Sequence, residues 1–251
     1  KKHIILYGIA SGMAYMHSLD YVFRNLSQEN ILLDEYLFPK ICDFSLAAKS
    51  DESLSDFVGT PVYMAPEVIE GEQYVKASDV YSFSMIMYEL LTNEVPFKNI
   101  TVFKLQSMIV SGNRPDIPEY LPDVYKNLIE RCWAQDPNDR PSFKEIKTIL
   151  QNDINDLEID NDDFDDYCDM ITSHESELSG WGVFSHPICN PARPEIDSNK
   201  QKMKDEYSEG ESDSENLIIS DDDIAKKHKF KRVKIVFPEE EYEDKKLDVK
   251  I

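Results

Sequence analysis

Three side chains that suit cation binding or hydroxyl binding lie at fixed intervals near the start of the chain: Asn25, Asn30 and Asp43. Asn30 follows Asn25 by five residues, and Asp43 follows Asn25 by eighteen. Carboxylate and amide oxygens are hard ligands of the kind that Mg²⁺ prefers. The Asn25 amide can hold a hydroxyl group by hydrogen bond, but it cannot accept a proton near neutral pH. The use of these groups depends on the elements that position them.

Apolar spacing predicts those elements. Residues 3–18 repeat apolar side chains at helical intervals, which predicts a buried amphipathic helix. Residues 31–33 and 40–42 predict a strand–turn–strand pair around a polar turn. Residues 46–60 lack periodicity and predict a loop, and a long apolar helix is predicted to begin at Asp79. The two strands therefore begin just after Asn30 and end just before Asp43.

Four motifs in this order resemble the eukaryotic protein kinases. Residues 23–30 read F-R-N-L-S-Q-E-N and resemble the catalytic loop H-R-D-L-x-x-x-N, and residues 43–45 read D-F-S and resemble D-F-G. Residues 59–67 match the substrate-docking loop that ends in A-P-E. Residues 130–143, which include Trp133 and Arg140, are most similar to the tyrosine-kinase-like group of Ser/Thr kinases.

The resemblance covers roughly residues 1–151 and implies an α+β protein-kinase-like fold. It implies a mostly α-helical large (C-terminal) lobe. The sequence contains no Gly-rich loop and no lysine of the V-A-I-K type, so we expect the small N-terminal lobe to be absent. Because the chain begins with Lys1 and not with Met, we expect it to be cut from a longer polypeptide.

The resemblance also assigns roles at the site. Asn30 and Asp43 lie where the family binds Mg²⁺ and ATP, although we expect this chain alone to bind ATP weakly or not at all. Asn25 stands in place of the catalytic aspartate, and loss of a general base typically costs about 10²–10⁴-fold in rate. Ser27 stands where many Ser/Thr kinases have a lysine, and Ser45 stands at the D-F-G glycine.

Two functions are compatible with these differences from the family motifs. The first is a pseudokinase that acts in signalling as a scaffold or as an allosteric partner of another kinase. The second is a Ser/Thr kinase of low activity that uses ATP and Mg²⁺ when the small lobe is present.

Other residues match the family by position. Arg24 resembles the arginine that pairs with an activation-loop phosphate. We expect Asp79 to accept backbone N–H groups of the catalytic loop and to cap its own helix. The remaining matches are Phe23 and Phe44 as an aromatic contact, Glu67 with Arg140 as a buried ion pair, Thr60 in the docking loop, and Ser50, Ser53 and Ser55 as candidate phosphate sites.

Charge divides the chain. Residues 1–151 contain 14 Lys and Arg against 21 Asp and Glu, net −7, whereas residues 152–251 contain 13 against 28, net −15. The second part predicts a disordered acidic tail. The overall charge of −22 argues against nucleic acid as the main partner.

Composition also indicates the cellular location of the protein. No apolar run of about 18 residues is present, so we expect no membrane span and no membrane partner. The four isolated cysteines suit free thiols in a reducing compartment. We therefore expect a cytoplasmic protein, with a nuclear location open because residues 226–237 are basic.

Overall fold

The computed structural model describes residues 1–52, 54, 58–152 and 161–180, and the side chains of 163–173 within the last range. The elements of these ranges are mostly helices joined by short strands and 3₁₀ turns. They are α1 (Lys2–Ser18), β1 (Tyr21–Val22), β2 (Ile31–Leu33), β3 (Pro39–Ile41), β4 (Ala48–Lys49), α2 (Pro66–Ile69), α3 (Lys76–Thr92), α4 (Val102–Val110), α5 (Asp123–Cys132), α6 (Phe143–Asn152) and α7 (Asn161–Gly180).

Two central helices form the core. Every residue of α1 from His3 to Ser11 is buried, and every residue of α3 from Ser78 to Tyr88 is buried. A helix that is buried on all sides must be covered by other elements. Helix α6 packs on α1, and α5 packs on α3. The predicted helix over residues 3–18 is confirmed, and its buried surface is wider than one stripe.

The strands form two small antiparallel pairs. Strands β2 and β3 are paired from Ile31 opposite Ile41 to Leu33 opposite Pro39, as the strand–turn–strand pattern predicted. Strand β1 pairs with β4. The loop predicted over residues 46–60 therefore contains a short strand, β4, near its start. A strand of two residues is too short to produce a recognisable pattern in the sequence.

The long central helix begins three residues before the predicted start at Asp79. Its first turn is closed by Ser78, whose hydroxyl accepts a hydrogen bond from the backbone N–H of Val75 at 3.2 Å. Asp79 lies one position further into the helix and is directed to the catalytic loop. The expectation that Asp79 caps its own helix is therefore wrong, and Ser78 provides the cap.

The prediction that residues 152–251 are disordered is wrong for residues 161–180, which form α7. Apolar side chains recur there at helical spacing, as Phe164, Tyr167, Cys168 and Ile171, and the first three are buried against the rest of the fold. Asp163, in the first turn, suits the positive end of the helix dipole. The high acidic content concealed this narrow stripe. Residues 153–160 and 181–251 of the predicted tail lie outside the described residues.

A buried histidine links α1 to two other helices. His3 lies 2.7 Å from the Leu150 carbonyl through Nε2 and 2.8 Å from the Tyr125 hydroxyl through Nδ1. A carbonyl only accepts, so Nε2 donates to Leu150, and in the neutral ring Nδ1 then accepts from the Tyr125 hydroxyl. Burial lowers the pKa of His3 from 6.5 to about 4, and the hydrogen bond to the Leu150 carbonyl opposes this only in part.

This histidine makes stability depend on pH. The pKa of His3 is lower in the folded state than in the unfolded state. The stabilisation of the fold by neutral His3 is therefore complete above pH 6.5 and is lost as the pH falls through about 4. We expect a loss of up to about 3 kcal/mol over this window. Urea unfolding at several pH values checks this. His3→Gln, which is not ionisable, should show a flatter profile, and equal profiles would contradict the assignment.

Candidate functional site

The loop that carries Asn25 is held from below by one buried carboxylate. Asp79 accepts hydrogen bonds from the backbone N–H groups of Phe23 at 2.8 Å and of Arg24 at 2.9 Å. Arg24 has a φ of 69°, a left-handed conformation that side chains other than glycine adopt at a cost. The two hydrogen bonds from the loop to Asp79 offset this cost and fix the direction in which Asn25 leaves the loop.

The structure brings Asn25, Asn30 and Asp43 together. The Nδ2 atom of Asn25 lies 3.5 Å from Oδ2 of Asp43, and Nδ2 of Asn30 donates to the Asn25 carbonyl at 2.8 Å. The Asn30 carbonyl accepts from the N–H of Cys42 at 2.9 Å, which extends the β2–β3 ladder toward the site. Since the Asn30 nitrogen is engaged, its Oδ1 is the atom left for a cation.

Ser45 contacts the carboxylate of Asp43. Its hydroxyl donates to Oδ1 of Asp43 at 2.6 Å, and its backbone N–H lies 3.4 Å from the same oxygen. Asp43 is left-handed, with φ 59° and ψ 70°, whereas Ser45 lies in an ordinary 3₁₀ turn. The serine is therefore accommodated without strain at its own position, and its hydroxyl occupies one of the two Asp43 oxygens.

The neighbouring loop positions differ in exposure. Ser27 is buried, and its carbonyl accepts from the N–H of Asn30 at 3.1 Å, so it shapes the loop instead of facing a ligand. Gly59 has a φ of 106°, and a Cβ there would lie 3.1 Å from the Arg24 carbonyl. The docking loop therefore passes directly beside the catalytic loop. Thr60 follows it and is exposed.

Arg24 points away from solvent. Its guanidinium lies 5.2 Å from the centre of the Tyr74 ring, and the residue is buried. Ser50 is exposed, and its backbone N–H donates to the Asp20 carbonyl at 2.8 Å. Ser53 and Ser55 lie outside the described residues. A phosphate partner for Arg24 therefore stays a prediction.

Aromatic and ionic contacts complete the surroundings. The rings of Phe23 and Phe44 meet edge to face at 5.2 Å, although Phe44 remains 48% exposed. Arg140 binds Glu67 through two parallel hydrogen bonds of 2.8 Å, and both side chains are buried. Ser78 donates to the same Glu67 carboxylate at 2.8 Å. This buried network joins the docking-loop side of the lobe to its far end.

Two supporting residues were missed in the sequence. Nε2 of His17 lies 2.9 Å from Oδ2 of Asp79. His17 therefore positions the carboxylate that binds the backbone of the catalytic loop. Tyr63 of the docking loop donates to Glu89 at 2.6 Å, while its carbonyl accepts from Ser82 at 2.7 Å. A histidine in the last turn of a helix that leads directly into the catalytic loop was the available signal. Nothing in the sequence linked Tyr63 to Glu89.

A metal ion at this site would have few protein ligands. In the part of the chain that the structure describes, no cluster of three or more His, Cys, Asp or Glu side chains is suited to a metal ion. Mg²⁺ typically takes one or two protein carboxylates and keeps several waters or phosphate oxygens. The Asp43 carboxylate and the Asn30 amide oxygen fit that smaller demand.

Over the ranges described, no helix combines the length and the apolar character that crossing a membrane requires.

Comparison with known proteins gives consistent matches. A probable serine/threonine-protein kinase of Dictyostelium discoideum is 40% identical over 149 residues, which are 57% of this chain and 16% of that protein. The dual specificity protein kinase shkC of the same organism is 37% identical over 202 residues, which are 75% of this chain and 40% of that protein. The chain thus spans less than half the length of either relative.

A family model bounds the shared region. The model for protein tyrosine and serine/threonine kinase matches residues 1–150, which is more than half of the chain. These residues contain the catalytic-loop motif, Asn30 and Asp43, the docking-loop motif and the Glu67–Arg140 ion pair described above. The chain therefore belongs to the protein tyrosine and serine/threonine kinase family.

Proposed function

We propose that this protein is a pseudokinase that acts in signalling as a scaffold or as an allosteric partner of another kinase. The observation that carries the proposal is Asn25, an amide at the position where the family has its proton acceptor. Nδ2 of Asn25 lies 3.5 Å from Oδ2 of Asp43, so the amide is adjacent to the proposed metal ligand. It can hold a hydroxyl there but cannot take the proton.

The rest of the lobe is kept. Asp79 still holds the catalytic loop, and the Glu67–Arg140 ion pair is still buried and bidentate. Removal of either partner of a buried pair strongly destabilises a protein. A fold that retains these contacts without a general base is suited to binding and to relaying conformational changes, which is what a scaffold or allosteric partner requires.

Kinases of this family in general use ATP and Mg²⁺. When bound, Mg²⁺ neutralises the charge of the nucleotide phosphates. In this chain Asp43 and Asn30 would hold the metal through a carboxylate and an amide oxygen. The Ser45 hydroxyl, which binds Asp43 at 2.6 Å, would compete with the metal for one carboxylate oxygen.

The second candidate is a Ser/Thr kinase of low activity in the tyrosine-kinase-like group. It is favoured by the retention of Asn30 and Asp43 and by the kinase names of both relatives. It also requires substrate to bind beside Thr60, which is exposed next to the catalytic loop. The partners that we propose are other signalling proteins or kinases, in the cytoplasm.

The test compares phosphoryl transfer from ATP by the full-length gene product and by its Asp43→Asn variant. Asparagine tolerates the left-handed backbone at position 43 and removes only the charge. A pseudokinase should give the same background rate in both proteins. A natural protein that is more than about tenfold faster than the variant would favour the low-activity kinase.

A further inference from the structure

The two metal-ligand residues lie at one end of the β2–β3 hairpin. Asn30 comes directly before β2, and Asp43 follows β3 by two residues. The hydrogen bond from Cys42 to the Asn30 carbonyl closes this end at 2.9 Å. A two-stranded hairpin is marginally stable on its own. Its orientation must therefore be set by what packs against it.

The opposite end of the hairpin is a tight turn organised by one aspartate. Oδ1 of Asp34 accepts hydrogen bonds from the backbone N–H groups of Tyr36 at 3.0 Å and of Phe38 at 2.9 Å. Leu37 is left-handed, with a φ of 66°. This turn fixes Phe38 and Pro39 as the part of the hairpin that faces α7.

Tyr167 of α7 packs on that turn. Its ring stacks on Phe38 with centroids 4.4 Å apart and an angle of 27° between the planes. Its hydroxyl lies over Gly8 of α1, where Pro39 also comes close, so that a Cβ on Gly8 would collide with both. Burial, and then the nearby Asp34, raises the pKa of Tyr167 above its ordinary value, so the phenol stays neutral. Three elements therefore meet at one buried point.

Phe164 anchors α7 one turn earlier. It is 1% exposed, and its ring meets those of His3 at 4.8 Å and Tyr7 at 5.1 Å, both edge to face. Aromatic pairs in these arrangements contribute beyond their buried area. The ion pair from Lys1 to Asp163 at 3.0 Å is exposed and adds little. The docking of α7 thus depends on aromatic packing and not on its charges.

We propose that α7 clamps the β2–β3 hairpin and that Tyr167 is a positioning residue for Asn30 and Asp43. It acts through Phe38 and Pro39, because the hairpin is short enough to transmit a change at its turn to its other end. The proposal rests on the proposed function in one respect, namely that Asn30 and Asp43 are the ligands to be positioned. Helix α7, although it lies in the acidic segment, would thus help to position the candidate metal ligands of the lobe.

The extent of one relative agrees with this role. The match with shkC covers 75% of the chain, whereas residues 1–150 make up about 60% of it. The similarity must therefore continue past the region of the family model, toward or into α7.

Hydrogen exchange of the intact chain tests the clamp. In Tyr167→Ala we expect amides of residues 31–43 to exchange at least about tenfold faster, while those of α5 change less than about twofold. Phe164→Ala removes a ring that packs on His3 and Tyr7 of α1, and it should give the same pattern because it releases α7. Tyr167→Phe retains the stacked ring and should restore protection of the hairpin to near the natural level.

The matched control is Asp166→Asn on the exposed face of α7, which should leave exchange unchanged. Acceleration spread equally over the hairpin and α5 would identify Tyr167 as a general stability residue and would overturn the clamp. Unchanged hairpin exchange in Tyr167→Ala would overturn it as well. Neither measurement uses ATP or phosphoryl transfer, so the result is independent of whether the protein is a pseudokinase.

Discussion

Asn25→Asp is expected to raise phosphoryl transfer from ATP by about 10²–10⁴-fold, because it introduces the missing general base. Asparagine and aspartate have nearly the same shape, so the substitution should not change the loop conformation that Asp79 stabilises. The new carboxylate would lie close to Asp43, and the two negative charges would repel each other. A bound cation offsets that repulsion, so the gain should depend on Mg²⁺.

The measurement is phosphate incorporation into a protein substrate by the full-length gene product and its variant. The double variant Asn25→Asp/Asp43→Asn serves as the control and should return to background. Ser27, which stands where many Ser/Thr kinases have a lysine, limits the gain toward the lower end of the range. Equal rates for the natural protein and Asn25→Asp would exclude a pseudokinase whose defect is the missing base.

Arg140→Met is expected to lower the free energy of unfolding by about 3–5 kcal/mol. The substitution leaves the Glu67 carboxylate buried, with Ser78 as its remaining donor. It also removes the hydrogen bonds that the guanidinium donates to the carbonyls of Ala134 at 2.9 Å and Ala77 at 3.0 Å. Because the ion pair joins distant parts of the lobe, the loss should be global.

Urea unfolding followed by circular dichroism at neutral pH measures this change. Arg131→Gln is the matched control, because Arg131 is exposed and lies 4.0 Å from Glu145. Exposed pairs of this kind contribute about 0–1 kcal/mol. If Arg140→Met and Arg131→Gln lost similar amounts, the buried ion pair would not be the support that its geometry indicates.

Much of the site could be predicted because its parts are local in sequence. The intervals from Asn25 to Asn30 and Asp43 include one loop and one hairpin, so spacing constrains their approach. What spacing could not give was the hydroxyl of Ser45 on Asp43 or the support of Asp79 by His17. These contacts depend on χ angles and on packing between elements 62 residues apart, which motif matching does not encode.

Helix α7 was missed for a different reason. The density of aspartates around Phe164 and Tyr167 dominated the composition, and composition is a property of a whole window. The apolar residues needed only one face of one helix, and their partners on α1 lie more than 150 residues away. A test for helical periodicity within the acidic segment would have detected the stripe.

The crowding at Gly8 has a consequence for how such lobes diverge. Since Tyr167 and Pro39 together fill the space that a side chain at position 8 would need, any substitution of Gly8 requires these neighbours to move. A smaller residue at position 167 would relieve part of this crowding. Among homologous lobes, these positions should covary, with glycine at 8 accompanying an aromatic residue at 167.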